Sequence, residues 1–371
     1  MHKLLSRGLP GAALVAAAVV SFSAAPATAE GAVLHAGSPL AVPGSYIVKL
    51  KPGATPPVAA DRTFTGGFST RLSAREARRL AAHPGVEYVE QDQYVHALAT
   101  QLNAPWGLDR IDQRALPMDT TYSYTSTGAT TSVYVVDTGI RTTHVEFGGR
   151  AFHGWDAVDN DSVAQDDNGH GTHVAGTIAG TTYGAAKGVK VYGVRVLNGS
   201  GSGTISGVIA GVDWVTAHAR KPAVANFSLG GGASTALDDA VRRMIASGVT
   251  ASVTAGSSGS GTVNTSPARV VEAITSGATT STDARASFSN FGSGVDLFAP
   301  GVGIKSAWHT SDTATNTLSG TSMATGFVSG VAARYLQFAP TATPAQVHAE
   351  LVREATPLPW GGRLLYWSPS R

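Results

Sequence analysis

The sequence runs to 371 residues, with 14% charged side chains, a formal net charge of +2 and no cysteine. Charge this close to balance excludes a nucleic acid or other polyanion as the principal partner, and the missing cysteines exclude a disulfide framework. Glycine is abundant at 44 residues, as expected where tight turns and close backbone approaches build a groove.

Lys3 and Arg7 precede an apolar run from Ala12 to Val20, and Ala27-Thr28-Ala29 offers a small-residue cleavage site before Glu30. Residues 1–29 therefore read as a signal peptide, which makes the expected location extracellular. The run is too short for a bilayer and no later segment could span one, so no membrane association is expected. Residues 30–44 read as a linker. A separate unit follows at 45–98: Ser45–Leu50 alternates like a strand, Ser73 and Glu76 frame a capping box for a helix through Leu80, and Val86–Asp92 returns to strand.

About 270 residues remain, enough for one domain with its own core. Strand-like runs at 132–136, 190–196, 223–227 and 249–253 alternate with helical patterns at 203–219, 236–247 and 322–337. That alternation is the signature of βαβ units, so the expected class is α/β with a doubly wound parallel sheet, preceded by a small α+β domain. A last helix is expected after Pro344, from Ala345 to Glu354, and no internal repeat appears.

Three segments carry chemistry. Ser319-Gly-Thr-Ser-Met-Ala-Thr-Gly-Phe327 delivers Ser322 to the start of an apolar helix, whose free N–H groups and positive dipole end stabilise negative charge near the serine oxygen. Alone, that string reads equally well as an ordinary helix N-cap. Ser132-Val-Tyr-Val-Val-Asp137 reads as a buried parallel strand ending in an acid, at the rim where open α/β sheets place their sites. Asn168-Gly-His-Gly-Thr-His173 puts His170 at the head of a small-residue helix. A serine hydroxyl is a weak nucleophile until an imidazole takes its proton, and the imidazole needs a carboxylate to fix its tautomer; Asp137, His170 and Ser322 supply the set.

These segments, in this order, resemble those of the subtilisin-like serine proteases, nearest to the proteinase K branch. Trp106–Ile111, Ser228–Gly231, Ser289–Gly292 and Phe298–Gly301 are similar to further landmarks of that family. The resemblance implies a secreted, monomeric serine endopeptidase acting on proteins and peptides at 101–371. It also implies that 45–98 is an inhibitory propeptide, the chain's own partner, cut away within Leu98 to Gln101. Between Leu50 and Phe64 stands only a Pro/Ala-rich stretch where relatives carry a first helix, so this propeptide reads as truncated. Where relatives often have cysteines, the chain has Asp167, Gly199, Val263 and Gly294.

The resemblance further places an extended substrate between Ser228-Leu229-Gly230 and Gly201-Ser202-Gly203, with Thr254-Ala255-Gly256 as the floor of the first specificity pocket. Two departures stand out. Ser257 occupies the place of the family's oxyanion-binding asparagine, whose loss in subtilisin costs ~100- to 1,000-fold in turnover. Gly326-Phe327 replaces Pro-His in the nucleophile helix, which implies looser positioning of Ser322, since a helical glycine costs about 1 kcal/mol. Structural calcium is implied at Asp109, Asp112, Gln113 and Asp119, where Thr121 replaces an asparagine ligand, and at Asp296 with the carbonyls of Val271 and Ala273. His170 and His173 lack the intervening Glu and third ligand of a zinc site, so zinc is not expected. Against an active enzyme stands a second class, a protease-like binding protein or self-inhibited zymogen left with little turnover by the change at Ser257.

Overall fold

The structure is a computed structural model that describes residues 29–38, 40–95 and 99–370. The expected signal peptide lies outside the described residues but for Ala29, as does Leu98 of the expected maturation window. The chain divides into two compact units at Gln93/Tyr94.

The first unit is a five-stranded sheet of order β1-β5-β2-β4-β3, formed by β1 (Val33–Leu34), β2 (Ala41–Leu50), β3 (Arg62–Phe64), β4 (Gly67–Arg71) and β5 (Val86–Gln93). One helix, α1 (Ala74–Ala81), covers it. Its capping box is present as expected, with Ser73 Oγ accepting from Glu76 N–H and the Glu76 carboxylate accepting from Ser73 N–H. Ala77 and Leu80 seat the helix on Tyr46, Val48, Phe68 and Val89. The reading of 30–44 as a linker needs correction, because β1 pairs in parallel with β5 and β2 already begins at Ala41. Two residues are too few to display a strand period, which is why β1 escaped notice. Residues 51–61 hold no helix, so α1 is alone on this sheet among the described residues.

The second unit opens with β6 (Ala99–Leu102), α2 (Trp106–Ile111) and β7 (Thr121–Tyr124); β6 and β7 pair antiparallel. The central sheet uses β8 (Ser132–Asp137), β9 (Ala151–Asp156), β10 (Lys190–Arg195), β11 (Ala223–Phe227), β13 (Thr250–Thr254), β15 (Ile274–Thr279) and β16 (Leu297–Pro300), all parallel, in the order β16-β15-β13-β11-β8-β10-β9. The minor pairs are β12 (Gly231–Gly232) with β14 (Thr265–Ser266), and β17 (Ile304–Ala307) with β18 (Thr315–Leu318). A closing hairpin of β19 (Thr356–Pro357) and β20 (Arg363–Leu364) extends the sheet beyond β16.

Strand β8 explains the two-sided wrapping. All six of its residues are buried, with Val133 and Val135 in one core and Tyr134 and Val136 in the other. A strand covered on both faces loses the apolar–polar alternation and reads as a continuous run. On the Val133 side lie α3 (His170–Ala179) and α6 (Thr321–Phe338); on the Tyr134 side lie α4 (Ile205–His218) and α5 (Thr235–Ala246). The last helix is α7 (Pro344–Glu354), with Pro344 in its first turn.

Two of the positions where relatives often carry cysteine are already neighbours. A Cβ built on Gly199 would stand 3.5 Å from the Asp167 Cβ, inside the range a disulfide spans. A Cβ on Gly294 would instead meet Thr262, not Val263, whose side chain is solvent-facing. The pair Asp167→Cys/Gly199→Cys is therefore expected to close a disulfide over a loop of about 32 residues (199 − 167) and to add about 3–4 kcal/mol. The Arg195–Asp167 ion pair it removes has an exposed carboxylate and counts for little. A thermal midpoint roughly 6–16 °C above that of the same protein under reductant is the expected result; coincident midpoints would refute the geometry.

Candidate active site

Asp137 ends β8 with its side chain wholly buried. Its Oδ1 accepts from Thr138 N–H at 2.8 Å and stands 2.7 Å from His170 Nδ1. His170 is the first residue of α3, entered through Gly169 at φ +110°, a left-handed conformation that favours glycine. A side chain there would also strike the rings of Trp308 and His309, both about 2.5 Å from its Cβ position.

Asp166 builds the entry to α3. Its Oδ1 accepts from Asn168 N–H, Gly169 N–H and the Thr138 hydroxyl, and its Oδ2 accepts from Thr172 N–H and Oγ1. One buried carboxylate thus ties the strand end carrying Asp137 to the helix end carrying His170. Sequence reasoning missed it; the signal was an acid just ahead of the helix, a residue type whose side chain takes up the free N–H groups of a helix entry.

The Asp137 contact decides the basicity of His170. Burial works against its charged form, but the Asp137 charge, the Asp137 hydrogen bond and the nearby Asp166 charge outweigh it and raise the pKa above its ordinary value. His173 is pushed the other way, to about 4, chiefly by burial, and its Nε2 donates to the Ile304 carbonyl at 3.0 Å. It is a packed core histidine.

Ser322 lies in the first turn of α6. Its Oγ donates to the Ser228 carbonyl at 3.1 Å, and the Ser228 hydroxyl donates back to the Ser322 carbonyl at 3.0 Å. Among the described residues no hydrogen bond joins Ser322 to His170. The expected groove residues line two openings. His170, Gly201, Ser202, Gly203, Ser228, Leu229 and Gly230 face a cleft of ≈ 480 Å³, deepened by Leu197, Val208 and Leu237. Ser322, Ser257, Thr254 and Gly256 face a second of ≈ 340 Å³, which shares Ser228, Leu229 and Gly230. Ala255 is buried beneath the floor, where its carbonyl accepts from Asn290 Nδ2. Asn290 Oδ1 in turn accepts from Ser258 N–H and Ser260 N–H, so this residue braces the whole loop 255–260.

Ser257 is engaged with the nucleophile turn. Its Oγ accepts from Thr321 N–H at 3.1 Å and lies 3.0 Å from Thr321 Oγ1. Gly326 has a packing reason: its Cβ would stand 3.1 Å from Thr177 Cγ2, so the glycine lets α6 lie close against α3. The glycine that weakens α6 by propensity is thus the residue that lets it pack against α3.

The residues expected to hold calcium differ between the two places. Asp109 accepts from Asp119 N–H and Thr120 N–H, Asp112 from Ser123 N–H, and Asp119 from Thr121 N–H and Oγ1. Gln113 Nε2 donates to the carbonyls of Ala115 and Pro117. Burial, with the charges of Asp109 and Asp119 adding to it, pushes the Asp112 carboxyl up to about 7. Hard oxygens that repel one another fit a divalent cation in chemistry, yet no three acidic or histidine side chains converge on one point among the described residues. At the second place, Asp296 Oδ2 accepts from Thr275 N–H, and Oδ1 lies 3.2 Å from His348 Nε2, so a side chain already faces that carboxylate. Val271 is exposed and Ala273 buried.

The profile of the subtilase family matches residues 128–365, and that of peptidase inhibitor I9 matches residues 61–98. The chain is 52% identical to an extracellular serine proteinase of a Thermus strain over 93% of its own length and 92% of that protein's. It is 56% identical to alkaline serine exoprotease A of Vibrio alginolyticus over 78% of its length, which is 55% of the length of that relative. A crystal structure of a cold-adapted subtilisin-like serine proteinase superposes with a TM-score of 0.69 at 56% identity, covering 71% of this chain and 98% of the other.

A base must be neutral to take a proton, so a raised His170 pKa moves the acid limb of activity to higher pH. Peptide hydrolysis measured as kcat/KM is expected to fall with decreasing pH through a midpoint above 6.5, the ordinary histidine value. A midpoint below 6.5 contradicts the Asp137 and Asp166 contributions.

Proposed function

We propose that this chain, which belongs to the subtilase family and is a serine endopeptidase with an I9-type zymogen propeptide, cleaves peptide bonds through Asp137, His170 and Ser322. The 2.7 Å contact between His170 Nδ1 and Asp137 Oδ1 carries the reading. It fixes the tautomer that leaves Nε2 as the base, and it holds the imidazolium that forms when that base is used. A protein kept only for binding has no need of such a contact.

The substrate joins the groove as an added strand between Ser228–Gly230 and Gly201–Gly203, held by main-chain hydrogen bonds. Ser322 Oγ leaves the Ser228 carbonyl, attacks the scissile carbonyl carbon and gives its proton to His170 Nε2. The contact between these side chains closes only in the substrate complex, as loose catalytic contacts of free enzymes do. The C–N bond then breaks, the leaving amine takes the proton from His170, and an ester to Ser322 remains until water repeats the sequence. Negative charge on the tetrahedral oxygen is met by the Ser322 N–H, which has no acceptor within the helix, and by a hydroxyl where relatives use an amide. Oxyanion stabilisation is weaker for that reason.

The protein reaches the extracellular medium as a precursor, and its propeptide is released within Leu98 to Gln101. Asp109, Asp112 and Asp119 would hold calcium if their loops drew together around it, and the cation would supply positive charge to the Asp112 carboxyl, which burial and the neighbouring Asp109 and Asp119 charges disfavour as an anion.

Ser322→Ala is expected to lower casein hydrolysis by roughly 10⁶-fold and to leave the precursor uncut, since both steps use one nucleophile. Maturation of that variant in a protease-free preparation would refute self-processing. Excess chelator is expected to lower the thermal midpoint by about 5–10 °C, the equivalent of about 2.7 kcal/mol from a ligand present at 100 times its Kd. An unchanged midpoint would remove calcium from the account.

A further inference from the structure

Three hydroxyl groups meet beneath the nucleophile turn. Thr254 ends β13, Ser257 lies three residues on, and Thr321 is the first residue of α6; all three line the cavity that Ser322 faces. Thr254 Oγ1 donates to Thr321 Oγ1 at 2.6 Å. Thr321 Oγ1 lies 3.0 Å from Ser257 Oγ, and Thr321 N–H donates to Ser257 Oγ at 3.1 Å. The residue before α6 is Gly320, which provides no side-chain cap, so Ser257 also satisfies an amide that a capping residue would serve.

Counting hydrogens decides what this cluster can do. Its polar groups own four: the O–H of Thr254, Thr321 and Ser257, and the N–H of Thr321. The contacts use three of them. If Thr321 donates to Ser257, the Ser257 O–H is left over; if Ser257 donates to Thr321, the Thr321 O–H is left over. One hydroxyl hydrogen is therefore surplus in either arrangement, beside Ser322 in a shared cavity. The bond from Thr254 orients Thr321 and polarises its O–H, which makes the surplus hydrogen a better donor.

We propose that Thr254, Thr321 and Ser257 form a hydroxyl relay that delivers this surplus O–H to the tetrahedral oxyanion, in the place of the family's side-chain amide. The proposal rests on the reading of Ser322 as the acylated nucleophile. Thr321 and Ser257 are interchangeable donors, and Thr254 is a positioning residue that touches no reacting atom. Interchangeability sets the relay apart from a single donor, because removal of either hydroxyl leaves the surplus hydrogen on the other.

The test is a double-mutant series on mature enzyme with a chromogenic peptide, using endpoint fluorophosphonate labelling of Ser322 to count competent sites. Ser257→Ala and Thr321→Val are each expected to lower kcat by less than about tenfold, and the pair together by ~100- to 1,000-fold, with KM nearly unchanged throughout. Ser257→Thr, which keeps the hydroxyl, is expected to stay within about threefold of wild type. Ser257→Asn is expected to raise kcat by less than about tenfold, since an oxyanion donor is already in place. The relay is overturned if Ser257→Ala alone costs the full loss, if the double variant loses no more than the product of the single losses, or if Ser257→Asn gains more than tenfold. Loss of endpoint labelling in step with kcat also overturns it, because the role is then purely structural. Wild-type protein that neither labels nor turns over overturns the catalytic reading and the relay with it, whereas full labelling with flat kcat across the series overturns the relay alone.

Discussion

The close approach of α3 to α6 is the constraint on which the site depends. These helices carry His170 and Ser322 in their first turns, so their separation fixes the distance between base and nucleophile. Small residues set that separation: Gly326 sits over Thr177, and a Cβ on Gly330 would stand 3.3 Å from the Ile178 carbonyl oxygen of α3 and 2.8 Å from the Ala185 Cβ in the loop that follows. A Cβ on Gly171 would lie 2.2 Å from the Gly139 carbonyl oxygen, which brings α3 down onto the turn after Asp137. Larger residues would push the helices apart, and misplacement by about 1 Å is enough to cost ~100-fold in rate.

The fold holds this arrangement with charge where a disulfide is absent. Arg195, nearly buried, contacts Asp156 and Asp159 at 2.7 Å and Asp167 at 3.1 Å, and it stands in β10 directly beside Asp137 in β8. Arg110, wholly buried, forms a two-pronged contact with Asp283. Of these, Arg195–Asp156 is buried on both sides and Arg110–Asp283 nearly so. Such pairs repay little of their own desolvation but are costly to break, so they specify register more than they add stability, while the exposed Asp159 and Asp167 add little. Covalent closure at Asp167 and Gly199 would act differently, by restricting the unfolded chain.

Much of this was legible in the sequence. The run at 132–137, the small-residue helix after His170 and the capping box at Ser73 each follow local rules, and each stands where those rules put it. β15 and β16 were not anticipated as strands, and Gly277 and Pro300 within them explain why. Asp166 and Asn290 were missed as organisers for another reason. Each works by gathering backbone amides from a loop whose path is set by tertiary contacts, and no periodicity announces such a role.

The departures around Ser322 are coupled, which is the step the sequence could not supply. Read singly, Ser257 is a shortened donor and Gly326-Phe327 a weakened helix. In the fold, Ser257 satisfies the Thr321 amide, Gly326 admits Thr177, and the Phe327 ring fills the space above Gly107, whose Cβ position it approaches to 2.6 Å. Gly107 belongs to the Trp106–Ile111 landmark, so a residue of α6 and one of α2 are matched in size across the core. Neighbours that share partners do not contribute additively. A single return to the family residue at 326 or 327 would therefore meet a wall shaped for glycine and phenylalanine, and the nucleophile turn is best understood as one repacked unit rather than as a set of independent losses.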